Sequence, residues 1–230
     1  MLIGKGFTDR FLTEAEAQAI LVDGVEQANV RGQRVLLILP DGTRSGPIPL
    51  CFRTLADRML GHVARLDVLI ALGTHMPMDE ERLYQHLGIT GEERLTRYAD
   101  IGFYNHDYRS GLTRLGLVPA DEIAALSDGM LCEDLPVEIN ARILDYDHLM
   151  ICGPVFPHEV AGFSGGNKYF YPGISGADVI DLSHWLAALL TNLWTIGRQD
   201  TPVRRLLDRS AALIPRAKSC FSMVVVGHSD

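Results

Sequence analysis

The sequence predicts an α/β fold in which a largely parallel, Rossmann-like sheet is flanked by helices. Short, continuous apolar runs alternate along the chain with amphipathic segments, which is the pattern of buried strands connected by helices. The composition is that of a globular protein, because 47% of the 230 residues are hydrophobic and 22% are charged. We therefore expect residues 1–230 to form a single α/β domain.

Each predicted helix has an apolar stripe at helical spacing or a capping residue, as Thr13 and Glu16 provide for the first. Each predicted strand is a short apolar run beside a polar turn. In chain order, the predictions are a helix over 13–28, a strand over 34–39, a helix over 50–66, a strand over 68–72, a helix over 79–87, a strand over 148–152, a mostly apolar helix over 177–195, a polar helical region over 196–219 and a strand over 220–226. Because the last strand runs into a polar turn at the final residues, we expect the chain to be one domain of a longer protein.

Composition and charge argue against a nucleic-acid-binding protein and against a membrane protein. The formal net charge is −8 and the pI is about 5.4, so neither nucleic acid nor an anionic membrane is an expected partner. No apolar run reaches the roughly 18 residues of a spanning helix, and the first residues lack the pattern of a signal peptide. The four cysteines lie far apart without CxxC spacing, which indicates a reducing cytoplasm.

Three of the predicted strands end in turns that carry candidate site residues. Asp41 and Arg44 follow the first strand. His75 follows the second, and His158 comes after the strand over 148–152. In open α/β sheets, ligands bind beyond the carboxyl ends of the strands. We therefore expect these four residues to converge on one crevice, provided that the three strands are neighbours.

The residue types at these turns suit proton transfer on a substrate that carries a carboxylate. The planar guanidinium of Arg44 suits bidentate binding of a carboxylate, and Asp41 is placed to orient a neighbouring base. His75 and His158 suit a paired role, in which one imidazole removes a proton and the other donates one. Taken singly, each of these residues also fits a structural role in a turn or in packing.

The segment over 158–173 is the most specific motif in the chain. It contains a glycine-rich loop followed by Lys168, and the backbone of such a loop can approach a bound group closely. A lysine after this loop suits a phosphate or a covalent adduct. The segment matches neither GxxxxGK[ST] nor GxGxxG, which disfavours standard ATP and NAD sites. The loop residues expected to bind a ligand are Gly162, Ser164, Gly165 and Gly166.

Together these residues resemble the N-terminal domain of the nickel-pincer lactate racemase family, over roughly residues 1–200. The resemblance rests on the segments 40–44, 72–75 and 157–173 and on His184, which follows Lys168 by sixteen residues. It implies a pyridinium mononucleotide cofactor in which two sulfurs and a ring carbon hold nickel. It also implies that Lys168 carries this cofactor through a thioamide and that His184 is the one protein ligand of nickel. Without the resemblance, His184 fits a core residue of an apolar helix.

The resemblance implies racemisation or epimerisation of a 2-hydroxy acid such as lactate. His75 or His158 would take the hydroxyl proton while the α-hydrogen leaves as hydride to the cofactor, and the other histidine would return a proton after the keto acid turns over. Arg44 would hold the carboxylate throughout. The family also implies proteins that make the cofactor and a C-terminal domain that closes over it, which residues 1–230 do not contain.

Two other functions are consistent with the same residues. One is a zinc-type metallohydrolase in which His75, His158 and His184 gather on the metal. The other is a non-catalytic domain whose glycine loop binds a phosphorylated metabolite. The first predicts a metal without an organic cofactor, and the second predicts that nothing is attached covalently to Lys168.

Overall fold

A computed structural model describes residues 2–225. The helices within that range are α1 (Glu14–Ala28), α2 (Ile48–Met59), α3 (Glu80–Leu87), α4 (Gly91–Leu95), α5 (Ala120–Leu126), α6 (Ala177–Leu190), α7 (Asn192–Thr195) and α8 (Pro202–Ala211), with 3₁₀ turns at Ala141–Asp145 and Gly166–Tyr169. The strands are β1 (Arg34–Pro40), β2 (Arg65–Ala71), β3 (Gly102–Asn105), β4 (Leu112–Val118), β5 (Leu135–Asn140), β6 (His148–Val155), β7 (Pro157–His158), β8 (Gly162–Phe163) and β9 (Ala217–Val224). No helix of this part of the chain is both long and apolar enough to cross a membrane.

Five strands form one parallel sheet in the order β3-β2-β1-β6-β9, which confirms the predicted fold class. β1 lies at the centre between β2 and β6. The chain adds β2 and β3 on one side of β1 and then crosses to β6 on the other side, so the strand order reverses between β1 and β6. At such a switch point the connections leave a crevice beyond the carboxyl ends of the two strands, and ligands bind there.

Each face of the sheet carries its own hydrophobic core, because successive strand residues point to opposite faces. In β1, Leu37 and Leu39 face one core, which α1, α2 and α3 cover. Leu36 and Ile38 face the other core, which α5, α6, α8 and the antiparallel pair β4–β5 cover. A strand that is buried on both faces reads as a continuous apolar run, and this explains why β1 is visible in the sequence.

The first helix and the helix over 79–87 are confirmed with their caps. Thr13 caps α1 in a capping box with Glu16, and Asp79 caps α3, which ends at Gly88 in the left-handed conformation. These ends are set by short-range hydrogen bonds that the sequence specifies directly.

The strand predicted over 68–72 is β2, which begins three residues earlier at Arg65, and three further predicted boundaries are wrong. The helix over 50–66 stops at Met59, because Gly61 turns the chain with φ = 76° before β2 begins. The helix over 177–195 breaks at Thr191, whose φ is 69°, into α6 and α7. The region over 196–219 contains the helix α8 but already starts β9 at Ala217, while the end of the predicted last strand, Val226, lies outside the described residues.

Candidate active site

A cavity of about 230 Å³ lies beyond the carboxyl ends of β1, β2 and β6, at the switch point of the sheet. Eight of the ten site residues predicted from the sequence line it. They are Asp41, Arg44, His75, His158, Ser164, Gly165, Lys168 and His184. Gly162 and Gly166 are not among the lining residues. The structure therefore brings together four segments that are remote in the sequence.

Asp41 and His75 form a hydrogen-bonded pair across the ends of β1 and β2. The Asp41 carboxylate is buried, and its Oδ2 lies 2.6 Å from Nδ1 of His75, whose side chain is 48% exposed. Its other oxygen, Oδ1, accepts a hydrogen bond of 2.6 Å from the hydroxyl of Thr43. A carboxylate only accepts, so Nδ1 of His75 carries a proton and Nε2 keeps its lone pair in the neutral imidazole. In its neutral form, His75 therefore offers Nε2 as its basic nitrogen.

His158 is oriented in the opposite way, at the hairpin of β7 and β8. Its imidazole is 4% exposed, and Nδ1 accepts the backbone N–H of Val160 at 3.0 Å. The proton of the neutral ring is therefore on Nε2. Burial lowers the pKa of His158 to about 4, and the charge of Lys168 adds to this effect. At neutral pH this imidazole is uncharged and presents an N–H.

Lys168 lies in the 3₁₀ turn at Gly166–Tyr169, directly after the glycine loop. Burial lowers the pKa of its ammonium to about 8, and the neighbouring Arg44 acts in the same direction. An amine with this pKa is partly unprotonated near neutral pH, and only the unprotonated form is a nucleophile.

His184 lies on α6, and its Nδ1 is 2.6 Å from the carbonyl oxygen of Ile180, one turn earlier. Because a carbonyl accepts, Nδ1 carries the proton and Nε2 keeps its lone pair for a metal or another acid. The ring lines the cavity and is exposed, so the alternative of a buried core histidine is wrong. A second hydrogen bond that fixes the tautomer is typical of metal-binding histidines.

Arg44 supplies a positive charge to the same wall. Its guanidinium carbon lies 5.8 Å from the centroid of the Phe156 ring, and its backbone N–H donates to the carbonyl of Asp41 at 3.3 Å. The guanidinium of Arg44 and the amine of Lys168 make this part of the cavity suited to an anion such as a carboxylate or a phosphate.

The loop residues differ in what holds them. The buried hydroxyl of Ser164 donates to the carbonyl of Pro154 and accepts from the N–H of Phe156, both at 3.0 Å, so it ties the loop to the end of β6. Gly165 has φ = 81°, and a Cβ there would lie 2.5 Å from Val155. These contacts fix the conformation of the loop. The contacts of the loop with a ligand, which the sequence predicts, stay predictions.

Gly162 and Gly166 both have positive φ but lie in different surroundings. A Cβ on Gly162, where φ is 85°, would lie 1.9 Å from the carbonyl oxygen of Arg198. On Gly166, where φ is 58°, the nearest atom would be a side-chain nitrogen of Arg204 at 3.9 Å. Close packing of the protein itself therefore accounts for glycine at Gly162, whereas Gly166 needs it only for the backbone conformation.

The sequence does not reveal the part that Arg204 plays. A pair of adjacent arginines on a polar helix indicates a solvent-exposed face, and this interpretation is wrong for Arg204. Its guanidinium is half-buried and donates to the carbonyl oxygens of Phe163 and Gly165 in the glycine loop, whereas Arg205 pairs with Asp200 at 2.8 Å. Nothing in a single sequence distinguishes an arginine that contacts the loop from an adjacent arginine that does not.

The donor groups do not match a site in which the protein alone binds a metal. Within residues 2–225, no three His, Cys, Asp or Glu side chains are grouped closely enough to hold an ion. A zinc hydrolase would need at least three protein ligands, so the arrangement disfavours that alternative. One imidazole with a free Nε2 fits a metal whose other ligands come from an organic molecule.

Residues 10–193 match the family model described as the lactate racemase N-terminal domain. The lactate racemase of Lactiplantibacillus plantarum is 28% identical over 166 residues, and that of Thermoanaerobacterium thermosaccharolyticum is 30% identical over 156 residues. These alignments include 70% and 66% of this chain but 35% and 32% of the two relatives. The chain thus spans about a third of the length of the curated relatives that it matches.

Two solved structures share the fold. A protein from Thermotoga maritima superposes with a TM-score of 0.82 at 30% identity, over 93% of this chain and 51% of that one. The lactate racemase apoprotein from Thermoanaerobacterium thermosaccharolyticum superposes with a TM-score of 0.71 at 23% identity, over 91% of this chain and 49% of that one. The second likeness supports the fold alone.

Proposed function

The chain belongs to the lactate racemase N-terminal domain family, and from that premise we propose that it is the catalytic domain of a 2-hydroxy acid racemase or epimerase. The observation that carries this proposal is the meeting of Lys168, His184, His75 and His158 on the wall of one cavity at the switch point of the sheet. These are the groups that attachment, metal binding and paired proton transfer require.

We propose that the cofactor is a nickel-pincer nucleotide joined to Lys168 through a thioamide, with His184 as the protein ligand of nickel. The residues fit such a group, because the amine of Lys168 has a lowered pKa and Nε2 of His184 has a free lone pair. Ser164, Gly165 and Gly166 would hold the nucleotide together with the cations of the cavity. When bound, the cofactor supplies the group that accepts the α-hydrogen of the substrate and returns it.

The chain's own residues would bind the substrate and move its hydroxyl proton. Arg44 would hold the carboxylate, so that the keto acid turns over without leaving. His75, which Asp41 holds with Nε2 unprotonated, would take the hydroxyl proton for one enantiomer. His158 would return a proton to the oxygen on the other side, and the two histidines would exchange roles in the reverse direction.

A donor role for His158 requires a higher pKa than the free chain gives it. After burial, the charge of Lys168 is the largest cause of the low pKa, which is about 4. Conversion of the Lys168 amine to a neutral thioamide removes that charge, so attachment of the cofactor would raise the pKa of His158 towards its ordinary value. The proposal therefore links loading of the cofactor to activation of the second histidine.

The proposal has consequences for partners and location. The curated relatives are about three times as long as the matched segment, so we propose that a C-terminal domain closes the site, with residues 1–230 as the N-terminal one. Proteins that make the cofactor would act before this one. We also propose a cytoplasmic location, since all four cysteines are free thiols.

The decisive experiment is intact and peptide mass spectrometry of protein produced together with the cofactor-making enzymes. The proposal predicts a mass adduct on the peptide that contains Lys168 and about one nickel per adduct by elemental analysis. Lys168→Ala should abolish the adduct, and His184→Ala should keep the adduct but lose nickel. Metal bound without an adduct would favour the hydrolase, and a phosphometabolite bound without either would favour the binding domain.

A further inference from the structure

Helix α8 holds the glycine loop through Arg204. The guanidinium donates one hydrogen bond to the carbonyl of Gly165 at 3.3 Å and another to the carbonyl of Phe163. These two carbonyls flank Ser164, and they lie three and five residues before Lys168. The two hydrogen bonds therefore hold the backbone on both sides of Ser164, just ahead of the lysine.

A second contact joins the same helix to the loop. The side-chain amide of Asn167 donates to the carboxylate of Asp208 at 2.9 Å. Arg204 and Asp208 are four residues apart on α8, so they lie on the same side of the helix. The residue directly before Lys168 is thus anchored as well. Helix α8 lies beyond residue 193, the last residue that matches the family model.

The loop needs external anchors because of its backbone. Gly165 and Gly166 have φ values of 81° and 58°, which glycine adopts easily and also leaves easily. The carbonyl of Gly165 accepts the backbone N–H of Lys168 at 3.2 Å, and its second lone pair is open to a side-chain donor such as Arg204. The planar fork of arginine can serve two carbonyls at once, and the single ammonium of lysine serves them less well.

We propose that Arg204 is a positioning residue that fixes the glycine loop and thereby keeps the amine of Lys168 inside the cavity. The inference rests on the proposed function only in taking Lys168 as the attachment residue. The role of Arg204 in fixing the loop is inferred from the contacts of α8 with the loop alone.

Loss of Arg204 should raise the pKa of Lys168 for two reasons. A loop without its anchor would let water reach the amine and would reverse part of the burial that lowers this pKa to about 8. The substitution to a neutral residue would also remove a nearby cation. The charged and titratable groups that line the cavity with the amine or act on its pKa are Asp41, Arg44, His75, His158, Glu159, Tyr169, His184 and Arg204.

Competitive acetylation with acetic anhydride measures this pKa directly, because the chain has three lysines, Lys5, Lys168 and Lys218. The rate of acetylation of each lysine is followed from about pH 6.5 to about pH 11 by peptide mass spectrometry, with Lys5 and Lys218 as internal references. The variants are Arg204→Met and Arg204→Lys. The matched control is Arg205→Met, which removes the neighbouring arginine that pairs with Asp200 instead of the loop.

We expect the midpoint for Lys168 to rise from about 8 in both Arg204 variants, more in R204M than in R204K, and to stay unchanged in R205M. A rise of one pH unit lowers the unprotonated fraction at pH 8 about fivefold. The R204K variant is decisive, because it keeps the charge and removes the fork. A rise in R204M with no rise in R204K would mean that only charge matters and would overturn the inference.

Two further outcomes are also informative. If R204M does not fold, as judged by its thermal transition, the Lys168 midpoints of R204K and R205K are compared instead. A rise in R204K alone supports the inference, and no difference between the two overturns it. A wild-type midpoint near the ordinary lysine value of 10.5 would remove the support for Lys168 as the attachment residue and would overturn both the proposed function and this inference. A wild-type midpoint near 8 with unchanged Arg204 variants would overturn the inference alone.

Discussion

At the scale of single residues, burial and nearby like charges set the pKa values of the groups that line the cavity. Beyond the effect of burial, Lys168 and Arg44 both lower the pKa of His158, and Arg44 lowers the pKa of Lys168. The free chain therefore holds a neutral imidazole beside an amine that is partly unprotonated near neutral pH. Because the pKa of His158 depends on the charge of Lys168, this coupling can be measured by titration without any assay of enzymatic activity.

Substitution of Lys168 by methionine should raise the pKa of His158. The variant removes the positive charge that disfavours the imidazolium, while the hydrophobic side chain keeps most of the burial. We expect the pKa of His158 to move from about 4 towards 6.5, without reaching it, because burial is the larger cause. Titration of the imidazole ring protons by NMR measures the change. Lys218→Met is the control, and an unchanged His158 titration in K168M would contradict the coupling.

Substitution of Asp41 by asparagine should impair proton transfer by His75. An amide in place of the carboxylate can donate to Nδ1, which favours the tautomer with its proton on Nε2, and that tautomer is not a base at Nε2. Under the proposed function, we expect the variant, once loaded with cofactor, to interconvert lactate enantiomers roughly 10²–10⁴-fold more slowly than the wild type. Chiral chromatography of the reaction mixture gives the rate.

The matched control is Asp147→Asn, the same change at the amino ends of β1 and β6, where Asp147 pairs with Arg34 at 2.7 Å. The rate of interconversion for this variant should stay within about twofold of the wild-type rate, because an exposed ion pair contributes little to stability. Equal rates for D41N and wild-type protein would show that the Asp41–His75 pair has no catalytic part.

At the scale of elements, the sequence reveals strands that are buried on both faces more readily than strands that are partly exposed. β1, β2 and β6 are continuous apolar runs and could be predicted. β3 and β4 have mixed, intermediate burial, so neither a continuous run nor a strict alternation marks them. Helix ends could be predicted where a cap fixes them. The predictions were wrong where a residue with positive φ, such as Gly61 or Thr191, ends the helix although the apolar stripe continues.

The glycine loop offers a test of this local level. Gly162→Ala should be far more costly than Gly166→Ala, although both positions have positive φ. A Cβ at Gly162 would lie 1.9 Å from a backbone carbonyl oxygen and would force the chain apart, whereas the one at Gly166 has open space. We expect a loss of more than about 3 kcal/mol in the free energy of unfolding for G162A. For G166A we expect about 1–2 kcal/mol, the cost of the left-handed conformation alone.

Urea unfolding of the two variants, followed by circular dichroism, measures both losses under the same conditions. Gly197→Ala is a useful third variant, because Gly197 has φ = 77° and a Cβ added there would meet no atom within 4 Å. It should behave like G166A. Similar losses for G162A and G166A would mean that the loop yields at Arg198 and that close packing does not explain Gly162.

At the scale of the whole molecule, the cavity exists because a central strand has neighbours on both sides. The order β2-β1-β6 places the turns after three separate strands at one edge of the sheet. The residue types in those turns could be predicted from the sequence, and so could their convergence, once the strands were taken as neighbours. The contact of Arg204 on α8 with the loop could not be predicted. It depends on which side of the helix faces the loop, and Arg204 has an equally polar neighbour in Arg205.

The buried state of His158 ties the stability of the whole fold to pH. Its pKa of about 4 in the folded chain is below the ordinary value of 6.5, so the unfolded chain binds more protons between these values. The contribution to stability is therefore complete above pH 6.5 and is lost as the pH falls towards 4. Between about pH 7.5 and about pH 5, this single group should lower the free energy of unfolding by about 2 kcal/mol.

His158→Gln should abolish that part of the pH dependence. The buried residues His106 and His148 also have lowered pKa values and act in the same direction, but they are present in both proteins and cancel in the comparison. The measurement is urea unfolding of wild-type protein and H158Q at the same two pH values. We expect the wild type to lose about 2 kcal/mol more than H158Q over this interval. Equal losses would show that His158 is already protonated in the folded chain at the lower pH, and the interpretation of its neutral, N–H-presenting state would then be wrong.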